Sequence, residues 1–166
     1  GKIKVTKVDL DNNEIVIPNV TFQVLDDKGK VLEEIITNEN GIAETSRFAI
    51  RDYASLTLKE IKTDKWYVLN DKEINVELKE NDVVNIQVEN ELKKGQIRVI
   101  KVDLDNNEVK LKGVEFNVID EKGNIVDKLI TDENGEAVSK RLPINQQYRI
   151  QESRTLQDYV LNKEIK

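Results

Sequence analysis

The chain opens with Gly1-Lys-Ile-Lys-Val-Thr-Lys-Val-Asp-Leu-Asp-Asn-Asn-Glu14, and this stretch returns as Gly95-Gln-Ile-Arg-Val-Ile-Lys-Val-Asp-Leu-Asp-Asn-Asn-Glu108. In the first copy, Ile3 and Val5 alternate with polar residues such as Lys4. A period of two is the pattern of a β-strand with one buried face. Self-similarity at a fixed offset indicates a duplicated structural unit. The stretch therefore predicts two copies of one β-module.

The similarity between the copies extends over most of the chain. It includes an alternating run, a turn segment rich in Asn and Gly, an isolated glutamate and a Tyr-Val-Leu-Asn stretch. The corresponding positions are 20–24 and 114–118, 37–41 and 131–135, Glu60 and Glu152, and Tyr67–Asn70 and Tyr159–Asn162. We therefore predict two domains, residues 1–90 and 96–166, joined by the short charged linker 91–95.

The two copies differ in how far they continue. After Asn70 the first copy has two further alternating stretches, 71–78 and 83–90, whereas only 163–166 follow Asn162 in the second. We therefore expect the second domain to lack its last strand in this chain.

Short alternating runs separated by turn signals dominate both copies, and no segment shows a sustained helical period. The turn signals are Asp- and Asn-rich stretches that end in glycine, as at 38–41 and 132–135. Several short strands at regular spacing in modules of this length suggest a β-sandwich or a partly open barrel. The sequence thus predicts an all-β chain of two tandem domains of this kind.

Composition excludes several classes of protein. The 166 residues contain no Cys, His or Met, which excludes disulfides, Cys/His zinc sites and triads built on histidine. The net charge is −6, with both signs interspersed and no basic stripe, so no nucleic-acid partner is expected. No apolar run approaches the roughly 20 residues of a membrane helix, so no membrane insertion is expected in this segment. We expect no cofactor.

The segments 9–13 and 103–107 both read Asp-x-Asp-x-Asn and so begin like a calcium-binding loop. The glycine and glutamate that the EF-hand pattern requires further along the loop are absent. The pattern favours a polar turn between two strands, with surface calcium binding as the alternative. No metal site is predicted.

Polar residues interrupt three apolar strand faces of the first copy. Each follows alternating apolar residues on one face: Lys7 after Ile3 and Val5, Glu60 after Leu56 and Leu58, and Asn90 after Val84, Ile86 and Val88. The second copy repeats two of them, as Lys101 and Glu152. In one interpretation each face ends there, and the polar group lies at the rim with the lysine extending to water. In the other, the three side chains meet in the core.

A meeting of these groups has a chemical consequence. Burial favours the neutral amine over the ammonium, and a neutral amine is a nucleophile. A protonated carboxyl can hydrogen-bond the carbonyl of an Asn side chain, polarise it and transfer protons. Attack of the lysine amine on the Asn side-chain carbon would release ammonia and leave an isopeptide bond.

At these residues the chain resembles a known family, the B-type repeats of Gram-positive collagen adhesins, which include the SpaA-like domains of pilins. The motifs that carry the resemblance in the first copy are Lys7-Val-Asp9, Val20-Thr-Phe22, Asp26-Asp-Lys-Gly29, Thr37 to Gly41, Glu60, Tyr67-Val-Leu69 and Asn90. Those in the second copy are Lys101-Val-Asp103, Val114-Glu-Phe116, Thr131 to Gly135, Leu142-Pro143, Tyr148, Glu152 and Tyr159-Val-Leu161. The resemblance covers nearly the whole chain, and the order and spacing of the motifs are more specific than any one of them.

The resemblance implies a prealbumin-like, inverse immunoglobulin-like sandwich in which Lys7 and Asn90 are bonded and Glu60 is the catalytic acid. It makes Lys101 and Glu152 the equivalent pair of the second copy, for which this chain contains no acceptor equivalent to Asn90. One departure lies after each glutamate. The family often has Glu-x-x-Ala-Pro-x-Gly-Tyr, whereas Glu60-Ile-Lys-Thr-Asp-Lys-Trp-Tyr67 stands here.

The resemblance further implies a structural stalk module of a Gram-positive adhesin or pilin, crosslinked by its own residues rather than a turnover enzyme. The implied location is extracellular on a cell-wall-anchored surface protein, with the signal peptide and anchor outside this chain. Neighbouring domains of the same protein are the implied partners of a monomeric chain. The alternative is a ligand-binding sandwich that recognises a host extracellular-matrix protein or a glycan. A ligand site should differ between modules, whereas a stalk should repeat.

Overall fold

The computed structural model describes residues 1–154 and divides the chain into two compact units, Gly1–Lys93 and Lys94–Lys166. Predictions that fall on residues 155–166, including the match of Tyr159–Asn162 to Tyr67–Asn70, lie outside the described residues. Each unit is described by itself. None of the described residues forms a helix long and apolar enough to cross a membrane.

Seven strands form the first unit. They are β1 (Lys2–Asp9), β2 (Thr21–Leu25), β3 (Val31–Ile36), β4 (Ile42–Glu44), β5 (Ser55–Lys62), β6 (Ile74–Glu77) and β7 (Val83–Asn90). Strands β4, β1 and β7 form a three-stranded sheet in that order, and β3, β2, β5 and β6 form a four-stranded sheet. The two sheets pack their apolar faces together, as expected for a sandwich.

The first and last strands of this unit lie side by side. Strand β1 pairs with β7 in parallel over its whole length, with Lys7 opposite Val88 and Asp9 opposite Asn90. The start of β1 and the end of β7 therefore lie at opposite ends of the same strand pair. This arrangement brings residues that are 83 positions apart in sequence onto one face of one sheet.

The core of the first unit is aliphatic, as the scarcity of aromatic residues requires. The inward residues predicted from alternation are buried: Ile3 and Val5 on β1 are fully enclosed, and Leu56 and Leu58 on β5 are no more than 1% exposed. The buried side of β1 does not end at Lys7, because Asp9 is 1% exposed. The strand therefore carries two ionisable side chains, those of Lys7 and Asp9, into the interior.

The second unit repeats this plan over the described residues. Its strands are β8 (Lys94–Gly95), β9 (Arg98–Ile100), β10 (Glu115–Ile119), β11 (Ile125–Ile130), β12 (Glu136–Val138), β13 (Leu142–Pro143) and β14 (Arg149–Arg154). Strands β11, β10 and β14 form a sheet like that of β3, β2 and β5, while β9 pairs with β12 as β1 pairs with β4. Within residues 94–154, no strand occupies the place that β7 takes beside β1.

The segment predicted as a linker, residues 91–95, takes part in local pairing within each unit. Leu92 forms an isolated bridge with Tyr67 in the first unit, and the backbone N–H of Lys93 donates to the carbonyl of Trp66. In the second unit, β8 pairs with β13.

Candidate functional site

Three polar side chains meet in the interior of the first unit. Lys7 lies on β1 and Asn90 is the last residue of β7, while Glu60 projects from β5 in the opposite sheet. Their residues are 0%, 1% and 2% exposed, respectively. The alternation that placed each of them on an apolar face also directs them into the space between the sheets. None of them lies at a solvated rim.

The distances within this cluster are those of direct contact. Lys7 Nζ donates a hydrogen bond of 2.5 Å to Asn90 Oδ1 and lies 3.0 Å from Glu60 Oε1. Asn90 Nδ2 donates to Glu60 Oε2 at 2.8 Å. Each group thus contacts the other two, so the amine, the carboxyl and the carboxamide form a closed triangle.

Burial lowers the pKa of the Lys7 amine, because removal from water disfavours its charged form. The nearby Glu60 carboxylate opposes this effect and favours the ammonium, but desolvation is the larger influence. The site therefore raises the fraction of Lys7 that is neutral, and only the neutral amine has a lone pair with which to attack a carbonyl carbon.

The orientation of the Asn90 carboxamide differs from the sequence-based expectation. We expected Glu60 to hydrogen-bond the carbonyl oxygen, but Glu60 accepts from the amide nitrogen while Lys7 donates to the oxygen. Lys7 Nζ donates to the carbonyl oxygen, and the two amide N–H groups are then left to donate to Glu60 Oε2 and Thr63 Oγ1.

Two residues that the sequence analysis did not assign complete the surroundings of Glu60 and Asn90. The backbone N–H of Asn70 donates to Glu60 Oε2 at 2.9 Å, and its side chain donates to the carbonyl of Glu89 on β7. Thr63 Oγ1 accepts from Asn90 Nδ2 at 3.0 Å. Both residues recur in the second copy of the sequence, within the patterns Glu-x-x-Thr and Tyr-Val-Leu-Asn. This recurrence was the sequence signal that could have assigned them to the site.

A second buried carboxylate, that of Asp9, fixes the end of β1. Its Oδ1 accepts from the backbone N–H groups of Asp11 and Asn12, and its Oδ2 accepts a 2.8 Å hydrogen bond from the Tyr67 hydroxyl. Burial, together with this bond to Asp9, raises the pKa of Tyr67. The Asp-x-Asp-x-Asn segment is thus a turn capped by its first aspartate, which agrees with the favoured interpretation. No group of three potential metal ligands occurs among residues 1–154.

The corresponding pair of the second unit is also in contact. Lys101 Nζ lies 3.2 Å from Glu152 Oε2, and Glu152 is 4% exposed. The side chain of Lys101 is 26% exposed, whereas that of Lys7 is fully enclosed. Within the described residues, Glu152 Oε1 has no hydrogen-bond partner. The structure therefore brings together the two predicted residues of this copy, with no carboxamide between them among those residues.

In the first unit, a buried amine, carboxyl and carboxamide are in contact where the parallel first and last strands meet. Together with the repeated arrangement of strands in the two units, this feature defines the class of protein as a tandem prealbumin-like β-module. The chain belongs to the SpaA prealbumin-like fold domain family, whose model matches residues 1–92 and again residues 95–166. The predicted family and the predicted all-β fold of two such domains are confirmed.

Solved structures agree with this assignment. The Bacillus anthracis TIE protein is 30% identical and superposes with a TM-score of 0.74; the match covers 99% of this chain and 30% of that protein. A variant of the major pilin subunit of Bacillus cereus is 14% identical with a TM-score of 0.52, covering 99% of this chain and 94% of that one, and shows the fold alone. This chain thus spans about 30% of the TIE protein. No curated protein matches the chain in sequence.

Proposed function

We propose that this chain is a structural stalk module of a Gram-positive surface adhesin or pilin, stabilised by an isopeptide bond that it forms between its own Lys7 and Asn90. The observation that carries the proposal is the buried contact of these two side chains with Glu60. Membership in the SpaA prealbumin-like fold domain family supports the structural part of the role.

The reaction needs only the three side chains. Lys7 Nζ, as the neutral amine, attacks Cγ of Asn90, so an N–C bond forms and the amide resonance of Nδ2 is lost. Glu60 takes a proton from Nζ through Oε1 and supplies one to Nδ2 through Oε2, which are the oxygens nearest to those nitrogens. The Cγ–Nδ2 bond then breaks and one ammonia leaves. Glu60 ends the reaction in the protonation state in which it began.

The fold supplies most of the rate. The nucleophile and its acceptor are held in contact by two paired strands, so the reaction is intramolecular and does not require an encounter. Each chain would undergo this reaction once, because Lys7 and Asn90 are consumed when they form the bond. The chain is therefore its own substrate and not an enzyme in the usual sense.

A bond at this place would reinforce the whole first unit. By the chain-entropy model used for disulfides, closing a loop from Lys7 to Asn90 stabilises the folded state by about 4–5 kcal/mol. Unlike a disulfide, the amide resists reduction, and the chain has no cysteine with which to form disulfides. These properties suit a stalk exposed outside the cell on a cell-wall-anchored protein, with neighbouring domains of that protein as its partners.

The decisive experiment is the intact mass of the purified chain beside Lys7→Ala, Glu60→Ala and the near-isosteric Glu60→Gln. We expect the unmodified chain to be lighter than its sequence mass by one ammonia, because one Cγ–Nδ2 bond is exchanged for one Cγ–Nζ bond. All three variants should have their full sequence masses. A peptide map should place the link between the peptides containing Lys7 and Asn90.

Lys101→Ala is the matched control, since it removes the equivalent lysine of the second unit and should leave the deficit at one ammonia. A deficit of two ammonias would reveal a second acceptor, for Lys101. A chain with its full sequence mass would contradict the crosslink and make the ligand-binding sandwich the leading alternative.

A further inference from the structure

The Asn90 carboxamide has a third hydrogen bond, to Thr63, that the proposed chemistry leaves without a role. Its nitrogen donates two hydrogen bonds, one to Glu60 Oε2 and the other to Thr63 Oγ1 at 3.0 Å. An amide nitrogen has only two hydrogens, so both are satisfied. Nδ2 is the atom that must leave as ammonia, and Thr63 therefore contacts the leaving group directly.

Thr63 is placed by the end of a strand. It is the first residue after β5 (Ser55–Lys62) and lies half-buried between two exposed neighbours, Lys62 and Asp64. Three residues earlier, Glu60 points from β5 into the core. After the end of β5, the Thr63 hydroxyl therefore contacts the same Asn90 carboxamide that Glu60 contacts.

A threonine recurs at the same spacing in the second copy of the sequence. Both copies have threonine three residues after the glutamate, as Glu60-Ile-Lys-Thr63 and Glu152-Ser-Arg-Thr155. The two residues between differ completely, and so do the three that follow Thr63 and Thr155.

We propose that Thr63 is a further catalytic residue of the isopeptide reaction, acting as the hydrogen-bond acceptor for the departing nitrogen. The inference rests on the proposed function. In the starting state the hydroxyl oxygen and Glu60 hold both N–H groups on the side of the amide away from Lys7, which leaves the carbonyl toward the amine. Lys7 Nζ bonds to Cγ, a proton moves from Nζ to Nδ2 through Glu60, and Cγ–Nδ2 breaks. Nδ2 gains one hydrogen in this sequence, and Thr63 remains its acceptor from amide to ammonia.

The test follows the reaction in time. The full chain is made in a short cell-free translation pulse, samples are quenched in acid at intervals, and intact mass gives the fraction that has lost ammonia. Thr63→Val keeps the shape and removes the acceptor, whereas Thr63→Ser keeps the hydroxyl. Thr57→Val makes the same chemical change on β5, at a position paired with Leu25 and Asn75.

We expect Thr63→Val to slow the loss of ammonia about tenfold, the effect of one hydrogen bond to a reacting group. Thr63→Ser should restore most of the rate, and Thr57→Val should react like the unmodified chain. The melting temperatures of Thr63→Val and Thr63→Ser in a Lys7→Ala background, where no bond can form, report any structural cost separately.

Three results would overturn the inference. Equal rates for Thr63→Val and the unmodified chain would remove Thr63 from the reaction and leave the proposed function intact. Equal slowing by valine and serine, together with a lowered melting temperature in the Lys7→Ala background, would make the threonine a structural residue. Absence of any mass loss in the unmodified chain would instead contradict the crosslink itself, and the inference with it.

Discussion

The Lys7 amine is fully buried, and its burial makes the free energy of unfolding depend on pH. This effect can be measured separately from the crosslink. The pKa of Lys7 in the folded chain is lowered by burial, whereas an unfolded lysine has a pKa near about 10.4. Between these two values the unfolded chain binds one more proton than the folded chain. The free energy of unfolding must therefore rise with pH across this window.

This prediction requires chains that cannot crosslink. We compare the single variant Asn90→Ala with the double variant Asn90→Ala, Lys7→Met. The stability of the single variant relative to the double variant should rise as the pH increases toward the lysine pKa of about 10.4, by at most about 1.4 kcal/mol per pH unit. Urea unfolding followed by the fluorescence of Trp66, the one tryptophan of the chain, would measure it in the first unit. The raised pKa of Tyr67 acts in the opposite direction above about pH 10, but it is common to both variants and cancels. A flat or falling difference would contradict a lowered pKa for Lys7.

The residue scale also shows what the sequence could and could not predict. The period of two placed Lys7, Glu60 and Asn90 on inward faces, because alternation alone decides which side of a strand a residue occupies. It could not assign Thr63 or the backbone N–H of Asn70, since both lie in irregular segments whose course depends on tertiary contacts. The orientation of the Asn90 carboxamide was missed for a related reason. It depends on which neighbouring side chain donates to the carboxamide, and that is a tertiary contact.

At the scale of elements, the strands and turns were largely predictable and their pairing was not. Alternation and the Asp-x-x-Gly and Asn-Gly signals locate β1, β2, β5 and β7, together with the turns that end at Gly29 and Gly41. Nothing local in the sequence states that β1 and β7 are parallel neighbours. The resemblance to a known family implied only that Lys7 and Asn90 are bonded, and the parallel pairing of their strands comes from the structure.

The turn at Gly41 supports the reactive strand directly, which gives a prediction with a matched control. Gly41 has φ of 71°, and a Cβ there would lie 2.7 Å from the carbonyl oxygen of Lys7 and 2.8 Å from Cβ of Val16. That carbonyl cannot move away freely, because it accepts from the backbone N–H of Ile17. Gly29 has φ of 80° but has nothing within 4 Å of its added Cβ.

We expect Gly41→Ala to destabilise the first unit by roughly 2–5 kcal/mol, through both backbone strain and steric overlap. Gly29→Ala should cost only the strain, about 1–2 kcal/mol. Both are measured by urea unfolding in a Glu60→Gln background, where the crosslink is absent and Trp66 reports on the first unit. Equal effects of the two substitutions would show that the close approach to Lys7 does not constrain the turn.

For the whole molecule, the repetition bears on the proposed stalk role. The two copies share the sequence of their first strand, their turns and the lysine–glutamate pair, and we expect such repetition of a stalk, whereas a ligand site should differ between modules. In the second unit this pair is more exposed at Lys101 and has no carboxamide beside it among the described residues. The mechanical prediction is therefore made for the first unit, where all three side chains are in contact.

Force applied along the chain tests this prediction. Because β1 and β7 are parallel, tension enters at the start of β1 and leaves at the end of β7, and a Lys7–Asn90 bond connects the two strands directly. Residues 8–89 would then lie outside the load path.

In the experiment, force is applied through two cysteines, one added before Gly1 and one at Lys93→Cys, both outside that segment. We expect no unfolding step from the first unit. The same two cysteines in a Lys7→Ala chain should show a step of roughly 280 Å, at about 3.5 Å for each released residue. A full-length step in the chain that retains Lys7 would mean that the strands alone bear the force, and the stalk would then lack the covalent reinforcement proposed for it.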